Sequence, residues 1–295
     1  MTFEQLRIFV AVAEREHLTQ AATALHLTPS AVSAAIKALE GFYRVRLFER
    51  VGRGIELTGE GRIFLEEARQ TLARVRAAER VLGELGDLSR GSVDLHASQT
   101  IANYWLPPRL MRFHALHPGI DVRLTIGNTS AVSRAVIEGS AELGFIEGTV
   151  EQPALSSEAV AEDRLVIVTR AQPQKGPSAS ETILSLDWVL REPGSGTRSE
   201  FEAALARLGV DPKALQVAMV LPSNEAVLSA VRAGQAATAL SRAVVAPFLA
   251  DGELRALDID LPPRKFTLVS HRERHLSSAA ARLAELCRAE DGGPR

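Results

Sequence analysis

The first 60 residues place apolar side chains at helical spacing in short blocks joined by tight connections. The first block is an apolar stripe formed by Phe3, Leu6, Phe9, Val10 and Val12. The stripe ends at Glu16-His17, and a second helix is predicted over residues 18–25, with Thr19 as its cap or in its first turn. Thr28 is a suitable cap for a third helix that begins at Pro29, where a missing N–H costs nothing.

The pattern then changes from helical to extended. Residues 45–48 and 54–57 flank Gly52-Arg53-Gly54, which predicts a hairpin with a glycine-containing tip. A helix, a turn, a second helix and a hairpin are typical of a winged helix-turn-helix, which places its recognition helix in the major groove of DNA. The alternative is a helical bundle with a polar edge.

The third predicted helix and the hairpin carry the candidate DNA contacts. Serine and lysine side chains can reach base edges or phosphates, and small alanines let the helix approach closely. Arginines of the wing can hold flanking phosphates or enter the minor groove. The predicted DNA-binding residues are Thr28, Pro29, Ser30, Ala31, Ser33, Lys37, Arg50 and Arg53.

After residue 58, a single long helix is predicted to run to about Leu88. Its apolar positions alternate steps of four and three, the spacing of a coiled-coil seam. The seam consists of Phe64, Ala68, Thr71, Val75, Ala78, Leu82 and Leu85. We expect this linker helix to pair with a second copy of the chain, and the alternative is a helix packed on its own domain.

Strands alternate with helices from Ser92 onward. The predicted strands cover residues 93–97, 121–126, 143–146, 165–169, 188–190, 217–221, 238–240 and 266–270. The predicted helices cover residues 101–117, 132–138, 197–208 and 225–233. This alternation predicts a mainly parallel sheet with helices on both faces, and the length of about 200 residues suits two subdomains with a cleft between them.

Polar side chains follow four of these strands at the points where helices or turns begin. Ligands in open α/β sheets bind at such places, although serine and threonine also cap helices for structural reasons. The candidate effector-binding residues are Ser98, Gln99, Thr100, Thr129, Glu147, Gly196 and Thr197. Hydroxyl and N–H groups favour a small anion or carboxylate. Glu147 argues partly against an anion unless the glutamate turns toward Arg198 or another cation.

Composition and charge exclude several classes of protein. Thirty-four basic and 36 acidic residues give a net charge of −2, which argues against wholesale coating of nucleic acid. Cys287 is the single cysteine, so no internal disulfide can form. The amino terminus lacks a secretory pattern and no apolar run reaches the roughly 18 residues of a membrane helix, so we expect a cytoplasmic protein.

Catalytic patterns are missing from the sequence. Ser195 does not lie in a nucleophile elbow, and no third metal ligand accompanies His114 and His117. Gly194-Ser195-Gly196 matches neither a Walker motif nor a dinucleotide fingerprint. We therefore expect no catalytic site, metal or cofactor, and a protein that is not an enzyme.

The amino-terminal residues resemble the winged helix-turn-helix of LysR-type transcriptional regulators. The matching positions are Gln20-Ala21-Ala22, Leu25, Ala31-Val32-Ser33, Ile36, Leu39-Glu40, Leu47-Phe48-Glu49-Arg50, Arg53 and Leu57-Thr58. Arg44 departs from the pattern, because the family usually has glycine at this turn. The segments SQTIANYWLP, IGNTSAV, GFIEG and REPGSGTR are similar to the branch that holds regulators of sulfur assimilation and carbon fixation.

The resemblance implies an α+β chain with a winged helix-turn-helix (residues 1–58), a linker and dimerisation helix (59–90) and a periplasmic-binding-protein-like effector domain (91–295). Subdomain I of the effector domain would cover about 91–161 and 265–295, and subdomain II about 162–264. Expected partners are a double-stranded DNA operator, a small polar or anionic effector, and further copies in a dimer or tetramer. Alternatives are a two-lobed binding protein or enzyme with an assembly domain, and a nucleoid protein without an effector.

Overall fold

A computed structural model describes residues 1–52, 54–86, 91–171 and 178–289 of the chain. The chain divides into two compact units, of which the first covers Met1–Leu85 and the second most of the remaining residues. Among the residues that the structure describes, no helix is both long enough and apolar enough to cross a lipid bilayer.

The first unit has the predicted winged helix-turn-helix order. Its elements are α1 (Phe3–Arg15), α2 (Leu18–Ala24), α3 (Pro29–Tyr43), β1 (Phe48–Val51), β2 (Gly54–Leu57) and α4 (Gly59–Gly86). Thr28 caps α3 as predicted, because its hydroxyl accepts a hydrogen bond from the N–H of Ala31 at 3.2 Å. His17 caps α2 with its Nδ1 atom, and Thr19 lies in the first turn.

The wing begins three residues later than predicted. Residues 45–47 do not join the hairpin, since β1 pairs with β2 only from Phe48 onward. The carboxylate of Glu40 near the end of α3 accepts hydrogen bonds from the N–H groups of Leu47 (2.8 Å) and Phe48 (3.1 Å). These bonds tie the connection to α3 before the strand starts.

The core of the first unit is centred on Phe9, which is fully buried. Its ring packs against the rings of Phe48 and Phe64, with centroids 5.5 and 4.7 Å away. The first part of α4 contributes Leu65, Ala68 and Leu72 to the same core. The predicted seam is therefore partly used within the unit, where Ala68 is buried.

Further along α4, the seam positions Thr71, Ala78 and Leu82 are exposed, and Leu82 retains 69% of its accessible surface. The side chain of Leu85 and all of Leu88 lie outside the described residues.

The second unit contains ten strands and seven α-helices among its described residues. The strands are β3 (Gly91–Ser98), β4 (Ile120–Gly127), β5 (Leu143–Glu147), β6 (Leu155–Asp163), β7 (Leu165–Thr169), β8 (Asp187–Arg191), β9 (Gln216–Leu221), β10 (Ala237–Ser241), β11 (Arg255–Ala256) and β12 (Arg264–His271). The helices are α5 (Leu106–Leu116), α6 (Thr129–Glu138), α7 (Ala179–Leu184), α8 (Gly196–Arg207), α9 (Asn224–Ala233), α10 (Arg242–Ala250) and α11 (Ser278–Ala289).

The strands form two five-stranded sheets, which define two lobes. Lobe I has the strand order β4-β3-β5-β12-β6, and lobe II has the order β11-β7-β10-β8-β9. The chain passes from lobe I to lobe II at Arg164, between β6 and β7, and returns to lobe I at the start of β12.

The prediction of mainly parallel sheets was wrong. Only β3 with β4 and β5, and β8 with β9 and β10, run parallel. β12 pairs antiparallel with β5 and β6, and β7 pairs antiparallel with β10 and β11. The first strand after each crossing, β7 in lobe II and β12 in lobe I, runs opposite to its neighbours, which makes both sheets mixed.

Every predicted strand is present, and the predicted helix over 101–117 begins as a wider π-type segment, Ile101–Trp105, before α5. Five elements of the second unit were not predicted from the sequence: β6, β11, α7, α10 and α11. Five of the nine residues of β6, the four from Ser156 to Ala159 and Glu162, are exposed, so its apolar signal is weak.

Lobe I is tightly packed around Gly144 of β5. A Cβ atom at this position would lie 2.6 Å from Val269 Cγ2 and 2.9 Å from the side chains of Val132 and Val136. The glycine therefore leaves room for the side chains of α6 and for Val269 of the neighbouring strand β12, its register partner.

We expect Gly144→Ala to destabilise the effector unit by about 1–3 kcal/mol, because the added methyl overpacks a filled core. Both tryptophans of the chain, Trp105 and Trp188, lie in this unit, so urea unfolding followed by tryptophan fluorescence measures the loss. Gly91→Ala is the control, since a Cβ there meets no atom within 4 Å. Equal midpoints for the two variants would contradict the packing argument.

The exposed apolar positions of α4 are where we predict that two copies of the chain associate. We expect Leu82→Asp to break the dimer, because a charge in an apolar seam must keep its water. Light scattering of the full chain measures the mass. Gln70→Asp adds the same charge at an exposed position off the seam and should leave the mass unchanged. A Leu82→Asp variant of unchanged mass would place the association surface elsewhere.

Candidate functional site

The helix α3 presents most of the predicted DNA contacts on one exposed surface. Thr28, Pro29, Ser30, Ala31 and Lys37 are exposed, whereas Ser33 is half-buried. The hydroxyls of Thr28 and Ser30 share a hydrogen bond of 3.0 Å, so both are oriented by the cap of the helix.

On the wing, Arg50 is exposed in β1, and Arg53 lies outside the described residues. The predicted contacts therefore occur on two neighbouring elements of one small unit, a helix and a hairpin.

Arg44 occupies the turn directly after α3 in the left-handed conformation, with φ 54° and ψ 38°. Its N–H donates to the carbonyl of Glu40 and so caps the helix. A non-glycine residue in this conformation costs about 1–2 kcal/mol. The turn thus keeps the geometry that a glycine adopts freely, and it carries an exposed cation at the end of α3.

The effector candidates meet where the two lobes of the second unit face each other. Thr100 follows β3 in lobe I, and Thr197 lies in the first turn of α8 in lobe II. Both are buried, with 1% and 2% of their surface exposed. Their hydroxyl oxygens accept hydrogen bonds from the same guanidinium, that of Arg264, at 3.4 and 3.2 Å. The structure therefore brings these two predicted residues together.

Arg264 is held in place by Asp163. The carboxylate of Asp163 lies 2.7 Å from Arg264 Nη2 and accepts from Nε at 2.8 Å. The hydroxyl of Ser241 donates to the other carboxylate oxygen at 2.7 Å. Because Asp163 ends β6 and Arg264 begins β12, this ion pair lies where the chain crosses between the lobes.

Asn224 at the start of α9 forms a second bridge between the lobes. Its side-chain amide donates to the Thr100 hydroxyl at 3.1 Å, and its backbone N–H donates to Gln99 Oε1 at 2.7 Å. Its side-chain oxygen accepts a hydrogen bond from Arg191 of β8. Asn224 is fully buried, so these contacts hold Gln99 and Thr100 against lobe II.

Glu147, Thr129 and Gly196 lie together at another part of the same boundary. The hydroxyl of Thr129 donates to Glu147 Oε2 at 3.5 Å, and Glu147 is only 3% exposed. A Cβ on Gly196 would lie 2.4 Å from Thr129 Oγ1 and 2.8 Å from the carbonyl oxygen of Glu147. Only glycine permits this close approach of α8 to lobe I.

Of the cations left open as partners of Glu147, Arg198 does not pair with it. Arg198 forms an ion pair with Glu202 one turn along α8, at 2.7 Å, because that carboxylate is the local neighbour at helical spacing. Glu147 interacts electrostatically with another acid, Glu200. Burial raises the pKa of Glu200, Arg264 and Arg207 oppose this shift, and the charge of Glu147 adds to it.

The remaining candidate, Ser98, ends β3. Its hydroxyl is buried and has no hydrogen-bond partner among the described residues. Glu192 accepts hydrogen bonds from Arg191 and Asn128. Burial alone would raise the pKa of Glu192, but these hydrogen bonds and the charge of Arg191 outweigh burial, so the pKa is lowered. The boundary between the lobes thus offers hydroxyls, amides, the guanidiniums of Arg191 and Arg264, and carboxyls, which are groups for binding a small polar solute.

Three residues at the boundary between the lobes were not predicted from the sequence: Asp163, Asn224 and Arg264. Asn224 could have been selected by the rule that gave the other effector candidates, which takes polar residues between a strand and the next helix. It follows the predicted strand 217–221 and begins the next helix. Arg264 and Asp163 carry no such local signal, since their roles depend on the crossing of the chain between lobes.

Comparisons with known proteins agree with this architecture. Residues 3–62 match the family described as bacterial regulatory helix-turn-helix protein, lysR family, and residues 86–292 match the LysR substrate binding domain. The chain is 35% identical over 291 residues to the uncharacterized HTH-type transcriptional regulator YeiE of Escherichia coli K12, with 97% of each chain covered.

Other similar proteins point to the branch expected from the sequence. The RuBisCO operon transcriptional regulator of Allochromatium vinosum is 32% identical over 298 residues, covering 98% of this chain and 96% of that one. The CcmR regulatory domain of Synechocystis PCC6803, solved in complex with 2-PG, is 26% identical with a TM-score of 0.60, covering 68% of this chain and 97% of that one. The resemblance found in the sequence is thereby confirmed, and the chain belongs to the LysR family of DNA-binding transcriptional regulators, which carry an effector-binding domain and are not enzymes.

Proposed function

We propose that this regulator contacts its operator through α3 and the wing and responds to a small polar or anionic effector bound between lobes I and II. The observation that carries the proposal is the contact of one guanidinium, that of Arg264, with threonine hydroxyls from both lobes. A solute that binds these hydroxyls contacts both lobes at once, so its affinity depends on how the lobes are arranged.

The proposed domains follow the expectation from the sequence. Residues 1–58 bind DNA, residues 59–90 form the linker helix that pairs two copies, and residues 91–295 bind the effector. The exposed Leu82 and Ala78 on α4 support pairing through this helix, since a solvent-exposed leucine at a seam position gains free energy when a partner covers it. We place the protein in the cytoplasm, where its operator is, as a dimer or tetramer.

The proposed DNA contacts are Thr28, Pro29, Ser30, Ala31, Ser33, Lys37, Arg50 and Arg53. Exposure of the first turn of α3 supports this assignment, because the amino-terminal residues of a recognition helix contact base edges in helix-turn-helix proteins. The exposed Arg44 and Arg50 add cations beside the helix, where the phosphates of the duplex would lie.

The proposed effector contacts are Ser98, Gln99, Thr100, Thr129, Glu147, Gly196 and Thr197. The 2-PG bound by the CcmR regulatory domain supports a small effector in the corresponding domain of this chain. The acids Glu147 and Glu200 limit how much negative charge the cleft accepts, since like charges at close range raise each other's free energy. A small solute with few charges fits these groups best.

We expect Ser33→Ala with Lys37→Ala to weaken operator binding and to leave the dimer intact. Each lost base contact is worth about 1–3 kcal/mol, and alanine costs little helix stability. Gel shift with the native operator measures the affinity. The control is Ser229→Ala with Lys213→Ala, which removes the same groups from exposed positions of the effector domain. Equal affinities for both double variants would contradict the assignment of α3.

We expect Thr100→Val and Thr197→Val each to abolish the effector response while DNA binding persists. Valine keeps the shape but removes the hydroxyl, leaving a bound polar group underpaired at a cost of about 1–3 kcal/mol. A thermal-shift screen of small anions identifies a ligand, and isothermal titration compares the variants. Thr125→Val, at an exposed position of β4, is the control and should bind as wild type does. Wild-type affinity in both cleft variants would move the effector site away from these threonines.

A further inference from the structure

The two lobes of the second unit also contact each other at the start of α6. Asn128 caps this helix, because its side-chain oxygen accepts the N–H of Ala131 at 2.9 Å. The amide oxygen is thereby occupied, and the NH₂ group donates to Glu192 Oε1 of lobe II at 3.1 Å. One side chain therefore both begins a helix of lobe I and binds lobe II.

A backbone hydrogen bond lies beside this contact. The N–H of Ser130 is one of the first N–H groups of α6, which have no partner within the helix. It donates instead to the carbonyl oxygen of Gly194 in lobe II at 3.2 Å. The first turn of α6 is thus bound to lobe II by two hydrogen bonds, one from a side chain and one from the backbone.

Glu192 is in turn paired with the residue before it. Arg191 Nε donates to Glu192 Oε2 at 2.8 Å, and Nη2 donates to Oε1 at 3.0 Å, so the ion pair has two parallel bonds. The side chain of Arg191 is only 4% exposed, and a buried guanidinium is tolerated only beside its counter-charge. The guanidinium and the carboxylate therefore move together.

The third nitrogen of Arg191 reaches the other contact between the lobes. Nη1 donates to Asn224 Oδ1, and Asn224 donates to two residues of lobe I that follow β3. These contacts form one continuous series, which leaves lobe I at α6, passes through lobe II and returns to lobe I. We call it the bridging network, and its members are Asn128, Glu192, Arg191 and Asn224.

We infer that the bridging network joins the two contacts between the lobes into one cooperative latch, in which Arg191 and Glu192 are the coupling residues. Displacement of Glu192 draws the paired guanidinium away from Asn224. Loss of Asn224 leaves a buried N–H group of Arg191 unpaired, which costs free energy until the ion pair rearranges as well. Lobes that separate at one contact therefore separate at the other.

A latch of this kind determines how the lobes open before any ligand binds. Two independent contacts would allow four arrangements of the lobes, whereas two coupled contacts allow only open and closed. A solute acts on the regulator through its different affinity for such arrangements. The inference concerns the lobes without a ligand, so it goes beyond the proposed effector contacts and does not depend on them.

The variant Asn128→Asp breaks the first contact and keeps the helix cap, because aspartate caps a helix as well as asparagine does. Burial opposes ionisation of Glu192, but its hydrogen bonds and the charge of Arg191 lower its pKa, so the carboxylate is ionised at neutral pH and repels the introduced one. The second contact is followed at the backbone N–H of Asn224. This group begins α9, has no partner within the helix and donates to Gln99 Oε1.

Hydrogen exchange of the full chain without ligand, read by mass spectrometry at single-residue resolution, compares the two contacts. We expect Asn128→Asp to accelerate exchange at Ser130 and at Asn224 by about tenfold or more. The amides of Leu240 and Leu268 in the buried strands β10 and β12 should exchange as in wild type, which distinguishes opening from unfolding. Exchange at Asn224 that stays at the wild-type rate overturns the inference, whether or not Ser130 changes.

Two further variants control for charge and for folding. Ser178→Asp places the same charge at the cap of α7, where the hydrogen bonds of Ser178 stay within that helix among the described residues, and it should leave both reporter amides at wild-type rates. Asn128→Ser keeps a capping oxygen but is too short to reach Glu192. It should accelerate both amides without an added charge, so it replaces the aspartate variant if that variant unfolds.

Arg191→Lys tests the coupling itself. Lysine keeps the charge, but one ammonium group lacks the planar array that holds both carboxylate oxygens and Asn224. In this background, Asn128→Asp should still accelerate exchange at Ser130, and its further effect at Asn224 should be smaller than in the wild-type background. An effect at Asn224 of the same size in both backgrounds overturns the role of Arg191.

Discussion

The ion pair between Arg264 and Asp163 is the interaction on which the effector domain depends. A guanidinium whose side chain is 1% exposed is tolerable only when a carboxylate neutralises it, and removing one partner of such a pair costs about 3–5 kcal/mol. Asp163 ends a strand of lobe I, and Ser241 of lobe II also binds it. The pair therefore fixes the crossing between lobes, and the remaining donors of Arg264 reach the two threonines from that fixed point.

The elements of the fold were predictable where the signal is local. Thr28 and Pro29 define the start of α3 within a few residues, and short apolar runs such as 143–146 mark strands because a buried strand excludes polar side chains. The wing started later than expected because Glu40 binds two backbone N–H groups seven and eight residues away. β6 was missed because its exposed side chains carry little periodicity.

The site was predictable only as a set of strand ends. Thr100, Thr129, Glu147 and Thr197 lie at the boundary between the lobes, as their positions after strands suggested, and Ser98 ends β3. The hydrogen bonds that join these residues could not be predicted from the sequence, because the bond from Arg264 to Thr100 connects positions 164 residues apart. The direction of the bonds at Asn224 depends on Arg191 in another element, so no single segment of sequence contains it.

Gly196 gives the boundary between the lobes an adjustable spacing. Its Cα faces Thr129 and Glu147 at a distance that leaves no room for a Cβ atom. The absence of a side chain at Gly196 therefore determines how closely the lobes approach. One codon change there would place a methyl group against Thr129 and Glu147, and this spacer would shift the resting arrangement of the lobes. A lineage of such regulators can thus alter its set point for the signal by changing how closely the lobes approach.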